Sequence, residues 1–127
     1  MQSLHGKVFG ETKIEVALTL TNKANAGGIT KAAKYGLQSV VIEHVNFASR
    51  EEFDAAVVAQ IKRANVDLTV LAGFMRILTP VFTREIRAIN LHPSLLPLFK
   101  GAHAIKESFD SDMKVGGVSV HWVSEEL

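Results

Sequence analysis

Asn90 and His92 stand two residues apart in the short apolar run Ala88-Ile89-Asn90-Leu91-His92. On an extended strand that spacing turns both side chains to one face and sends Ile89 and Leu91 to the other. A hydrogen-bond donor and a proton carrier therefore share one surface. Pro93 and Pro97 stiffen the loop that follows, and Gly101 gives its far end freedom to turn. The same spacing also suits a strand-end cap beside a satisfied histidine, and spacing alone leaves both readings open.

Other chemistries find less support. His92, His103 and His121 lack the spacing of a zinc signature, and there is no His-Glu-x-x-His helix, so no metal is expected. Ser94 follows a histidine and a proline instead of sitting in a Gly-x-Ser-x-Gly elbow. The pair Gly27-Gly28 belongs to neither a dinucleotide fingerprint nor a Walker loop and reads as a plain turn. His5 and His44 read as surface or core histidines. The absence of cysteine excludes disulfides, thiolate metal sites and cysteine nucleophiles, and it fits a reducing compartment, so the cytoplasm is the expected location.

The elements that must position Asn90 and His92 follow from the rest of the chain. Its 127 residues are 47% hydrophobic and 21% charged, proportions of an ordinary globular domain. The formal charge of +1 is spread without a basic run, which points to neither nucleic acid nor an anionic membrane and leaves a small anionic ligand open. The apolar stretches are strand-sized, well short of the roughly 20 residues of a membrane-spanning helix. No repeat, linker or low-complexity tract divides the chain, so one domain over residues 1–127 is expected.

Ile14 to Leu20 reads as a strand running into a loop over Asn22 to Gly28, followed by a helix from about Ile29 to Tyr35 that Gly36 caps in the left-handed region. Val40 to Ile42 reads as the next strand. Ser49-Arg50-Glu51-Glu52 has capping-box spacing, and Phe53, Val57, Ile61 and Ala64 then form one apolar helical face. Leu68 to Ala72 reads as a buried strand ending at Gly73. Thr79-Pro80 starts a helix expected to reach about Arg87, and Ala88 to His92 follows as a strand. Beyond Gly101 come a helix near Ala104 to Phe109 and an alternating strand from Val115 to Val123. Alternating strands and helices predict an α/β, three-layer, mostly parallel Rossmann-like sheet with helices on both faces. Ligands in such sheets bind beyond the carboxyl ends of the strands, here the exits at Asn22–Gly28, Gly73–Leu78 and Asn90–Gly101.

Asn90-Leu91-His92-Pro93-Ser94-Leu95-Leu96-Pro97 resembles the hallmark of the formyltransferase superfamily, and Leu71-Ala72-Gly73-Phe74-Met75-Arg76-Ile77-Leu78 resembles a second hallmark upstream. Asn22 to Gly27 and Val118 to Val123 look like the glycinamide ribonucleotide branch, that of the phosphoribosylglycinamide formyltransferases. The resemblance spans about Ile14 to Leu127. It implies formyl transfer from 10-formyltetrahydrofolate, a co-substrate, to the amine of glycinamide ribonucleotide in purine biosynthesis. Asn90 would then donate to the formyl oxygen as a tetrahedral intermediate forms. His92 would shuttle the proton, a task suited to imidazole because its ordinary pKa of about 6.5 lies near neutrality. The resemblance also implies a folate site of Arg50, Met75, Arg76, Ile77, Leu78, Asn90, Val123 and Leu127, and substrate contacts from Asn90, Pro93 and His121. The expected partners are small molecules, with the protein a monomer or homodimer.

Two parts of that pattern fall outside the sequence. Nothing before Ile14 resembles the family's first strand and Gly-Asn-Gly-Ser-Asn-type phosphate loop, and Glu126-Leu127 stops one residue before the expected catalytic aspartate of an Asp-Gly-Gly run. The expectation is an incomplete formyltransferase fold of marginal stability. Methionyl-tRNA formyltransferase and formyltetrahydrofolate hydrolase share the Asn-x-His core, though Lys100-Gly101-Ala102-His103-Ala104 favours the ribonucleotide branch. A non-catalytic folate-binding fragment is the alternative from a different class.

Overall fold

The computed structural model describes residues 5–74 and 76–125. The chain forms two compact units, Met1–Val66 and Asp67–Leu127. Both combine parallel strands with helices, the α/β class expected from the alternating pattern.

The first unit opens with a small antiparallel hairpin of β1 (Val8–Phe9) and β2 (Thr12–Lys13), turning at Gly10, whose φ of +61° favours glycine. Two-residue strands are too short to show a period in sequence. The strand expected over Ile14 to Leu20 contracts to β3 (Thr19–Thr21). The reason lies in where the backbone groups go: Ile14 pairs with Gly6 and Lys7, and the Val16 amide donates to His5 Nδ1. Only residues from Thr19 onward find a ladder, a parallel one with β4 (Ser39–Val41) in the register Thr19↔Ser39.

Between them α1 (Gly27–Lys34) starts two residues earlier than expected and buries Ala32. Gly36 takes the left-handed conformation, φ +69°, in the turn after it. Next, a 3₁₀ turn at His44–Asn46 leads to α2 (Arg50–Ala64). Its capping box forms with a shift: Ser49 Oγ accepts from the Glu52 amide at 3.1 Å, while the Glu52 carboxylate accepts from Ala48, one residue before the cap. Asn65, left-handed at φ 50°, closes the other end. Phe53, Val57 and Ile61 are buried as the spacing requires, with Val58 beside them, each large apolar side chain contributing about 1.5–3 kcal/mol. The Phe53 ring meets Phe47 and His44 edge-on at 5.8 and 6.4 Å.

The second unit holds β5 (Thr69–Ala72), β6 (Ala88–His92) and β7 (Ser119–Trp122) in the order β5-β6-β7, with β5 parallel and β7 antiparallel to β6. Here α3 (Pro80–Thr83) is one turn, shorter than the helix expected to Arg87. Arg87 must already be extended, because its carbonyl accepts from Thr69 and begins the ladder to β5. Thr79 is extended as a cap residue should be, but its side chain makes no capping bond. After α4 (Ala104–Asp110) the strand expected from Val115 begins only at Ser119. Gly117 lies where the chain passes Leu95 so closely that an added Cβ would sit 2.5 Å from Leu95 Cδ2.

Register sorts this sheet into two unlike faces. Ile89 opposes Trp122 and Leu91 opposes Val120, giving an apolar face on which Arg87 stacks 4.8 Å from the Trp122 ring. Asn90 opposes His121 and His92 opposes Ser119, giving a polar one.

Candidate active site

The strand period of two places Asn90, His92, Ser119 and His121 together on the polar face, all half-buried. Hydrogen bonds then fix what alternation only gathers. His92 Nε2 lies 2.7 Å from the Phe99 carbonyl, an oxygen that can only accept, so Nε2 carries the hydrogen. In the neutral ring Nδ1 therefore holds the lone pair.

The loop that brings Phe99 back to His92 is closely tied. Ser94 is fully buried; its amide donates to the His92 carbonyl at 2.8 Å and its hydroxyl to the Leu98 carbonyl at 2.6 Å. Ser119 clasps the same loop from β7, donating to the Ser94 carbonyl at 2.7 Å and accepting from the Leu96 amide at 3.1 Å. Phe99 itself sits at φ +53°, a left-handed conformation uncommon for an aromatic residue. Ser94 is thus a loop staple with its hydroxyl committed, in keeping with the absence of a nucleophile elbow.

Neither serine's role was visible in the sequence. The one available cue was a serine inside a proline-punctuated loop, where hydroxyls bond nearby backbone. Ser119 carried no cue, since its function depends on the pairing of β6 with β7.

Across the ladder Asn90 Nδ2 lies 3.3 Å from His121 Nε2, and His121 Nδ1 lies 3.0 Å from the Trp122 carbonyl. Pro93 is exposed beside His92. Beyond β5, Phe74, Arg76 and Leu78 are half-buried while Ile77 is 71% exposed. Val123 is half-buried and its amide donates to the Ala88 carbonyl. Met75 and Leu127 lie outside the described residues. Arg50 belongs to the first unit, exposed on the first turn of α2. Thus Asn90, His92 and His121 are brought together on one face, and Pro93 follows directly in the loop.

The first unit has its own depression at the ends of β3 and β4, about 350 Å³, lined by Asn22, Lys23, Ala24, Asn25, Glu43, His44 and Val45. Asn22 Nδ2 and His44 Nδ1 approach to 3.4 Å across it. Among the described residues no group of three or more His, Cys, Asp or Glu could hold a metal ion.

Comparison with known proteins finds relatives of this chain. The chain matches the family described as formyl transferase over residues 2–127. It is similar to the crystal structure of phosphoribosylglycinamide formyltransferase from Campylobacter jejuni, with a TM-score of 0.95 and 64% identity, covering 99% of this chain and 66% of that one. It is 35% identical over 120 residues to the phosphoribosylglycinamide formyltransferase of Haemophilus influenzae, covering 93% of this chain and 57% of that protein. It is also 44% identical over 113 residues to the trifunctional purine biosynthetic protein adenosine-3 of Drosophila melanogaster, covering 87% of this chain and 8% of that much longer one. The chain thus spans somewhat more than half the length of the single-function bacterial relatives, and with a match running from residue 2 to residue 127 it belongs to the formyl transferase family.

Proposed function

We propose that the protein transfers a formyl group from 10-formyltetrahydrofolate to the amine of glycinamide ribonucleotide, a step of purine biosynthesis in the cytoplasm, with residues 1–127 contributing to one catalytic domain. The observation that carries the reading is the pairing of Asn90 and His92 on one face of β6, at a strand exit held by a stapled loop, in a chain whose relatives bear that activity in their names.

In this reading the substrate amine attacks the formyl carbon, forming a C–N bond as the carbonyl oxygen gains negative charge. An Asn90 Nδ2 hydrogen donates to that oxygen, and a single such donor is worth roughly 10²–10³ in rate. The C–N bond to the folate then breaks, its nitrogen takes a proton, and the attacking amine loses one. His92 carries that proton, worth roughly 10²–10⁴. Arg76, Ile77, Leu78 and Val123 would line the folate, with Pro93 on the ribonucleotide side and His121 reaching that side through Asn90.

The test is direct: incubate the protein with both substrates and follow formylated ribonucleotide by mass spectrometry alongside folate binding by calorimetry. Formylated product that vanishes with His92→Ala is the expected result. Folate binding with no product, unchanged by His92→Ala, would replace this reading with a binding function.

A further inference from the structure

Both ring nitrogens of His121 are engaged within the protein, and their chemistry determines how Asn90 is held. The Trp122 carbonyl, 3.0 Å from Nδ1, has no hydrogen to give, so Nδ1 must be the donor. A neutral imidazole with its hydrogen on Nδ1 leaves Nε2 able only to accept. The Asn90 carboxamide, 3.3 Å away, must then present its NH₂ end, since its oxygen would face a lone pair. The orientation of the Asn90 amide is thus set by a backbone carbonyl two hydrogen bonds away. One Nδ2 hydrogen goes to His121, and the second has no partner among the described residues.

Register makes the arrangement stiff. Asn90 and His121 are directly opposed on β6 and β7, where cross-strand Cβ atoms lie about 4.5–5.5 Å apart. Both strands are pinned further along by the Ser119 clasp on the 93–99 loop. A free carboxamide can turn over and exchange its donor and acceptor ends. Here one of the two settings is matched by His121 and the other is opposed.

We propose that His121 is a positioning residue: locked as the Nδ1–H tautomer by the Trp122 carbonyl, it holds the Asn90 carboxamide with the NH₂ end inward and so keeps one amide hydrogen ready for the formyl oxygen. With its nitrogens occupied, His121 acts on the substrate through Asn90. The proposal rests on the reading of Asn90 as the oxyanion donor, and two measurements separate the failure of each.

The first is NMR of the nitrogen-labelled protein at neutral pH without substrate. Expected are the Nδ1–H tautomer of His121 and a through-hydrogen-bond coupling between Asn90 Nδ2 and His121 Nε2. An Nε2–H tautomer, or no coupling in a folded sample, overturns the positioning role and leaves the Asn90 reading intact.

The second is formyl-transfer kinetics of His121→Phe, which keeps an aromatic ring without an acceptor, and of His121→Gln, which restores one. The expected result is a kcat lower by on the order of tenfold to a hundredfold for His121→Phe, with KM for both substrates held within about twofold, and recovery of most of the loss in His121→Gln. A His121→Phe protein that is folded by circular dichroism and keeps its kcat overturns the proposal, as does a loss that appears only in KM. If His121→Phe fails to fold, His121→Gln decides alone: wild-type kcat supports the acceptor role, and a loss as deep as that of Asn90→Ala rejects it. Should Asn90→Ala itself leave the rate unchanged while the NMR coupling is present, the donor reading fails and takes the catalytic part of this proposal with it.

Discussion

The exits of β3 and β6 occupy equivalent positions, each at the carboxyl end of a strand in a parallel pair, where α/β proteins place their ligands. Their construction differs. After β6 the loop is closed by bonds of 2.6 to 3.1 Å that involve His92, Ser94 and Ser119, with Ser94 fully buried. After β3 the contacts are looser: 3.4 Å between Asn22 and His44, 3.3 Å from the Lys23 amide to Thr21 Oγ1, and 3.2 Å from Ala26 to the Lys23 carbonyl. The helix that follows, α1, has Ala26 as its N-cap residue and no side-chain cap, and Lys23, Ala24 and Asn25 are exposed. Topology nominates both exits. What singles out the β6 exit is that its reactive side chains are held by groups whose own hydrogen bonds are complete, the condition for a site of fixed geometry.

If that difference is functional, the largest effects belong to the β6 exit. His92→Ala is expected to lower the rate of formyl transfer by roughly 10²–10⁴ and Asn90→Ala by roughly 10²–10³, with the fold retained because both side chains are only half-buried. Single-turnover measurements that show equal losses for the corresponding pair at the other exit, Asn22→Ala and His44→Ala, would erase the distinction.

Next in size is the staple. Ser94→Ala removes the donor to the Leu98 carbonyl in a fully buried setting and should cost about 1–3 kcal/mol of stability, read as a lower urea midpoint with an unchanged slope. Activity should fall as well, because the loop also supplies the Phe99 carbonyl that fixes the His92 ring. A Ser94→Ala protein with normal stability and full activity would show the loop to be held by something other than this bond. Outside both exits, Ser49→Ala at the α2 cap is expected to cost about 1 kcal/mol and leave turnover unchanged.

These ranks follow unevenly from the sequence. α2 was legible because its cap and its apolar face are local, and Ser49, Phe53, Val57 and Ile61 each behave as their spacing requires. Asn90 and His92 were legible for the same reason, since a strand of period two needs no partner to place both on one face. Where partners decide, the local pattern extends further than the element. The strand from Ile14 lost its first five residues to bonds with Gly6, Lys7 and His5, and the helix from Pro80 ended once Arg87 was drawn into the ladder with Thr69. Ser119 and His121 act across a register that joins residues 25 and 31 positions apart. No local pattern encodes such a pairing.

The smallest expected effect is the sharpest test of the comparison. Asn22→Ala removes the 3.4 Å contact to His44, at the long end of hydrogen-bond geometry and on a half-buried side chain. His44 keeps its edge-on contact with Phe53 in the mutant, since that packing does not involve Asn22. A loss of no more than about 0.5 kcal/mol is therefore expected, the usual range for a surface change. A loss of about 2 kcal/mol or more in urea denaturation would mean that the β3 exit is as tightly determined as the β6 exit. Tightness of the loop would then no longer distinguish the two exits as candidate sites.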